Sequence, residues 1–133
     1  MYNSIMDMII DASCIIAVLT EEPEREKVLK MTEGANLISP ACLPYEVGNS
    51  FSAMIKRNRI DGNQAVSAYK IFEKFPIRLV EPDIKKAVEI AAAEKHYAYD
   101  VYYIVCALDM GLPLYSLDNG LIEIAKKRGI KCL

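Results

Sequence analysis

Met8-Ile9-Ile10-Asp11-Ala12-Ser13 is the stretch on which the fold of this 133-residue chain turns. Three apolar residues without polar alternation, stopped by an acid, read as a short strand covered on both faces. Such cover needs helices above and below a sheet, and the chain supplies them. Cys14 to Leu19 opens one helix, and Glu22 to Thr32 adds another. Leu37-Ile38-Ser39 reads as a second strand, closed by Pro40. Val47, Phe51, Met54 and Ile55 recur at helical spacing and mark a helix that runs to Asn58. Pro44 is tolerated in its first turn, where amides have no intrahelical acceptor.

Asp61-Gly62 breaks the chain, and Ala65, Ala68, Tyr69 and Phe72 mark the next amphipathic helix, ended by Pro76. Ile77 to Val80 is a strand. Pro82 opens a helix with Ile84, Val88, Ala91 and Ala92 on one face. Asp100 precedes a largely apolar helix through Met110, stopped at Gly111. Leu114 to Leu117 is a strand, Asn119 to Arg128 a helix, and Ile130 to Leu133 a final edge strand. Strands alternating with helices predict a parallel sheet covered on both sides. No repeat, low-complexity tract or linker interrupts the pattern, so one domain over residues 1–133 is expected.

Composition narrows the function. Apolar residues make up 53% and charged residues 26%, as in a folded soluble domain. The net charge of −2 is too balanced for nucleic-acid binding by bulk charge alone. The longest apolar run, Val101 to Leu108, is far short of the roughly 20 residues of a membrane span. Met1-Tyr2-Asn3-Ser4 has no basic start, and Asp7 and Asp11 interrupt any hydrophobic leader, so a cytoplasmic protein is expected. Cys14, Cys42, Cys106 and Cys132 form no CxxC unit and are expected to be free. His96, the sole histidine, lies near a helix end and reads as a solvated or capping residue. The six glycines form no phosphate-cradling motif.

Four of the eighteen acids stand apart. Asp11 ends the first strand, and Asp118 follows a later one. Asp100 heads the apolar helix, and Glu46 lies early in its own helix with Asn49 and Ser50 at i+3 and i+4. In an open parallel sheet, ligands bind beyond the carboxyl ends of the strands. Four carboxylates gathered there would repel one another unless a cation sat between them, and oxygen ligands suit Mg2+ or Mn2+. Each acid also has a local explanation. Asp11, Asp100 and Asp118 sit where helix caps sit, and Glu46 could simply face a helix dipole.

Taken in order, Asp11-Ala12-Ser13, Glu46 with Asn49, Tyr99-Asp100 and Ser116-Leu117-Asp118 resemble the PIN-domain family of ribonucleases. In length and element order the whole chain is similar to the single-domain VapC-type toxins of prokaryotic toxin–antitoxin pairs. The resemblance implies a three-layer α/β/α sandwich on a short central parallel sheet. It also implies Mg2+- or Mn2+-dependent endonucleolytic cleavage of RNA, leaving a 5′-phosphate and a 3′-hydroxyl. Asp11, Glu46, Asp100 and Asp118 match the acidic quartet, and Ser13 and Ser116 match small hydroxyl positions beside it. The chain departs from the pattern before Asp100, where His96-Tyr97-Ala98-Tyr99 replaces the usual glycine and small hydroxyl residue, and at Val101, where Ala is common.

On this reading Asp11, Asp100 and Asp118 ligate metal directly or through water. Glu46 holds a water and helps deprotonate it, while Asn49 and Ser13 orient carboxylates. Lys56, Arg57 and Arg59 are candidate RNA contacts. Both they and the cluster Lys126, Lys127, Arg128 and Lys131 can equally be favourable charge at helix C-termini. Tyr45, Tyr69, Tyr97, Tyr99, Tyr102 and Tyr103 read as core or interface rather than base-stacking platforms. The resemblance implies a homodimer and, for a toxin, an antitoxin that blocks the cleft with Arg or Lys. The competing reading is a catalytically silent PIN-fold domain that binds RNA or acts as a scaffold. Receiver domains need paired acids after the first strand, and haloacid-type phosphatases need DxD. Asp11-Ala12-Ser13 lacks the pair, and Ser13 fills the third place of DxD, which argues against both.

Overall fold

The computed structural model describes residues 6–133, so the Met1–Ser4 stretch read for a leader lies outside the described residues. Four strands and seven helices are described: β1 (Asp7–Ile10), α1 (Ala12–Leu19), α2 (Arg25–Thr32), β2 (Asn36–Pro40), α3 (Leu43–Lys56), α4 (Gly62–Phe72), β3 (Ile77–Val80), α5 (Ile84–Glu94), α6 (Ala98–Met110), β4 (Leu114–Tyr115) and α7 (Asn119–Lys127). The strands form one parallel sheet in the order β3-β2-β1-β4, with Met8 opposite Leu37 and Ile9 opposite Leu114.

Side-chain alternation along the strands divides the core. Met8, Ile10 and Tyr115 join Cys14, Val28, Leu43 and Phe51 on the side of α1–α4. Ile9, Ile38 and Leu114 join Ala87, Ile104 and Leu121 on the side of α5–α7. Both faces of β1 are therefore buried, which is why it carries no polar alternation. The apolar α6 lies against the sheet with Val101 and Tyr103 to Ala107 buried. Each aliphatic side chain of that size contributes roughly 1.5–3 kcal/mol on burial. The α/β/α sandwich is the expected one.

This topology decides where a site forms. From β1 the chain proceeds outward through β2 to β3, then returns across the sheet to place β4 on the other side of β1. The strand order reverses between β1 and β4, and a crevice opens past their carboxyl ends. Asp11 leaves β1 at that point, and Ser116 and Asp118 leave β4 beside it.

Several boundaries differ from the sequence reading, each for a local reason. α2 begins at Arg25 rather than Glu22, after a turn containing Pro23. Pro82 precedes α5 instead of opening it, and Asp83 is its cap, accepting from the Lys86 amide. α6 begins at Ala98, so Asp100 lies inside its first turn rather than before it. β4 stops at Tyr115 because the Leu117 amide turns to the Ser13 hydroxyl rather than to a neighbouring strand. The expected edge strand Ile130–Leu133 reduces to one parallel bridge between Leu114 and Cys132. All four cysteines are free. Among the described residues, no helix is long and apolar enough to cross a membrane.

Candidate active site at the carboxyl ends of the strands

Asp11 caps α1 through the Cys14 amide, at 3.4 Å, but its main partners are two serines. Ser13 Oγ donates to Oδ1 at 2.6 Å, and Ser116 Oγ donates to Oδ2 at 2.7 Å. Each serine in turn accepts a backbone amide from the turn after β4. Leu117 donates to Ser13 Oγ and Asp118 to Ser116 Oγ, both at 2.9 Å. The two relays fix both oxygens of a carboxylate that is only 5% exposed. Burial raises the Asp11 pKa above its usual value against the pull of these donors, and repulsion from Asp118 adds to the rise.

Glu46 sits in the first turn of α3. Cys42, four residues earlier and so on the same face, donates its thiol proton to Oε1 at 3.2 Å. Tyr103, projecting from α6, donates its hydroxyl to Oε2 at 3.1 Å. Burial pushes the Glu46 pKa up to about 7. The Cys42 and Tyr103 hydrogen bonds oppose the shift, and repulsion from Asp100 and Asp11 reinforces it. Burial raises the pKa of both donors, so each keeps its proton at neutral pH.

The other two acids are shallower. Asp118 is exposed and caps α7, with Oδ1 accepting the Gly120 amide at 2.9 Å and the Leu121 amide at 3.3 Å. Asp100 makes no cap. Its Oδ2 lies 2.8 Å from His96 Nε2. The side chain of His96 is therefore bound at the site, although its backbone does close α5 by donating to Ala91 O.

All four acids line one cleft of about 370 Å3, together with Tyr103, Arg57 and Arg59. Glu22, from the turn after α1, adds a further acid to the wall. Asn49 lines a neighbouring groove with Tyr45, Glu46, Ser50 and Tyr99. Lys56 is exposed in the last turn of α3 and does not line the cleft. Lys127 and Arg128 pair with Glu94 instead of reaching it. Tyr103 is buried, but Tyr45, Tyr97 and Tyr99 stand out from the surface, so a core reading fails for those three.

Within the cleft, the acids do not close on a common point. Among the described residues, no three His, Cys, Asp or Glu side chains are grouped tightly enough to enclose an ion. The donor set nonetheless fits a hard dication. Its ligands are oxygens, and the repulsion among Asp11, Glu46, Asp100 and Asp118 is what a positive charge between them would relieve.

A PIN domain family model matches residues 8–127. Among solved structures, PAE2754 from Pyrobaculum aerophilum is 23% identical and superposes with a TM-score of 0.72, covering 96% of this chain and 83% of that one. VapC20 of Mycobacterium tuberculosis, a toxin that cleaves the sarcin–ricin loop, is 13% identical with a TM-score of 0.63, covering 87% of this chain and 93% of that one. At these identities the likeness is one of fold. No curated protein sequence matches the chain.

Proposed function

The chain belongs to the PIN-domain family, and on that premise we propose that it is a Mg2+- or Mn2+-dependent endoribonuclease, the toxin of a toxin–antitoxin pair. The observation that supports this most is that Asp11, buried, and Glu46, half-buried, line one cleft with Asp100 and Asp118. Buried carboxylates facing other carboxylates are costly in a metal-free protein, and a hydrolytic centre gives them a purpose.

Asp11, Asp100 and Asp118 would hold the ion, with Glu46 completing the set directly or through water. Bound there, a dication supplies charge to the phosphodiester oxygens and makes a nearby water more acidic. Glu46 takes the proton of the attacking water. A carboxylate with its pKa pushed to about 7 is well matched to that task at neutral pH. Its two oxygens keep the Cys42 and Tyr103 hydrogen bonds, and each retains a second lone pair. Ser13 and Ser116 keep Asp11 from rotating away. Arg57 and Arg59 offer phosphate contacts from the wall, while Lys56 and Asn49 act from outside the cleft. RNA is the substrate, and the chain works in the cytoplasm as a homodimer. An antitoxin would silence it by placing a basic side chain among the acids.

That the described residues hold no closed three-acid group favours a second reading, a catalytically silent RNA-binding or scaffold domain. One experiment separates the two. Structured RNA is incubated with purified protein, with and without Mn2+, beside Asp11→Asn. Cleavage that requires both Mn2+ and Asp11 is expected. RNA binding without cleavage selects the silent reading, and cleavage independent of Asp11 rejects the proposed site.

A further inference from the structure

Each of three acids in the cleft has its own brace: serine hydroxyls on Asp11, a thiol and a phenol on Glu46, backbone amides on Asp118. Asp100 has neither a hydroxyl nor a cap bond, and the partner beside it is the ring of His96. We infer that His96 is a positioning residue, whose Nε2–H holds Asp100 Oδ2 and leaves Oδ1 as the oxygen available to a divalent ion. The inference rests on the nuclease reading above and deepens it.

Three features fix the ring where this role needs it. Lys95 closes α5 in the left-handed conformation, with φ of 54°, and the His96 amide is bound to Ala91 O. The backbone of His96 is therefore set by the end of α5, before α6 begins two residues later. The ring then spans the gap between the first turns of α6 and α7. A methyl group built on Gly120 would lie 4.0 Å from His96 Cε1 and 3.3 Å from Asp118 Oδ1. His96 thus sits between the turns that carry Asp100 and Asp118, within van der Waals reach of the Gly120 position. The side chains of His96 and Asp100 are 27% and 35% exposed, enough to be within reach of an ion yet constrained on the protein side. Both the neutral Nε2–H tautomer and the doubly protonated ring can donate this bond, so the role does not depend on the charge of His96.

The test is Mn2+ binding by calorimetry to the metal-free full chain, with the melting temperature of each variant recorded alongside. His96→Phe keeps an aromatic ring in the gap and removes the donor. His96→Gln restores a donor nitrogen near the place of Nε2. Removing an outer hydrogen-bond partner of a ligand typically weakens metal affinity 10–100-fold, so His96→Phe is expected to weaken Mn2+ binding about tenfold, with His96→Gln recovering most of the loss. His96→Ala replaces His96→Phe if the larger ring prevents folding. Unchanged Mn2+ affinity in a folded donor-less variant overturns the inference. So does a His96→Gln variant as weak as the donor-less one, which would mean that the ring only packs. Asp100→Asn tells the two readings apart. If it weakens binding while His96→Phe does not, the site stands and this inference falls. A wild-type chain that binds no Mn2+ overturns both.

Discussion

Asp11 and Asp118 are close counterparts in the sequence: each follows a strand, caps the next helix and touches Ser116 or its relay. They differ in depth. Asp118 is exposed and accepts two well-placed amides, so a cap worth about 1 kcal/mol accounts for it. Asp11 is 5% exposed and accepts one long amide bond. Its burial raises its pKa, so its charge opposes folding of the free chain. Capping explains the shallow acid; the deep one also needs the Ser13 and Ser116 hydroxyls, and on the proposed function a bound cation would offset the rest of its burial cost. Glu46 and Asp100 are both half-buried and differ in their partners, a thiol and a phenol for Glu46 and an imidazole for Asp100.

The sharpest way to break this contrast is Asp11→Asn. Activity should fall by roughly three orders of magnitude or more, while the metal-free melting temperature holds or rises because a disfavoured charge is gone. A clear loss of stability with activity intact would make Asp11 structural.

Asp118 should behave differently. Asp118→Ala loses the cap and about 1 kcal/mol, or roughly 4 °C in melting temperature. Asp118→Asn keeps the cap, because Asn is as good an N-cap as Asp, and melts like the wild type. Both should lose the Mn2+-induced rise in melting temperature. Retention of that rise in either variant would remove Asp118 from the site.

The half-buried Glu46 also predicts a pH dependence. Glu46 ordinarily titrates near 4.5 and is pushed up to about 7 by burial. Between those values the folded chain binds a proton that the unfolded chain has released. Stability from this group is therefore complete below pH 4.5 and is lost as pH rises through 7. Calorimetric melts across that range should show the decline in wild type and a flatter curve in Glu46→Gln. Identical slopes would contradict the assignment.

The smallest effects come from two buried tyrosines on opposite sides of the sheet. Tyr103 spends its hydroxyl on Glu46, whereas the Tyr115 hydroxyl has no partner among the described residues. Tyr115→Phe should be neutral or stabilising by about 1 kcal/mol. Tyr103→Phe removes a bond that lowers the Glu46 pKa, so the acid limb of the activity profile should move to higher pH. A profile that shifts with Tyr115→Phe instead would reverse their roles.

Much of this was legible in the chain. Met8-Ile9-Ile10 announced a strand buried on both faces, and the strand-end positions of Asp11 and Asp118 placed them at the crevice. The braces were harder to see. Cys42–Glu46 and His96–Asp100 are both i,i+4 pairs, a spacing that could have exposed them, but His96 reads first as a helix-end residue. Tyr103 reaches Glu46 from 57 positions away, and no local pattern carries that contact. Glu22 reaches the cleft from a turn that reads as helix. Arg57 and Arg59 reach the cleft while Lys56 does not, because rotation around the end of α3 separates neighbours in sequence. β4 ended early because a side chain captured the Leu117 amide, a competition invisible without the folded neighbour.

On the proposed function, the four acids draw together around bound divalent metal. Anomalous diffraction from a crystal soaked in Mn2+ tests this most directly. The expected result is strong density among Asp11, Asp100 and Asp118, with Glu46 adjacent or bridged by water and the carboxylates drawn together relative to the metal-free chain. Mn2+ bound elsewhere, or not at all with the four acids left apart, would contradict the account.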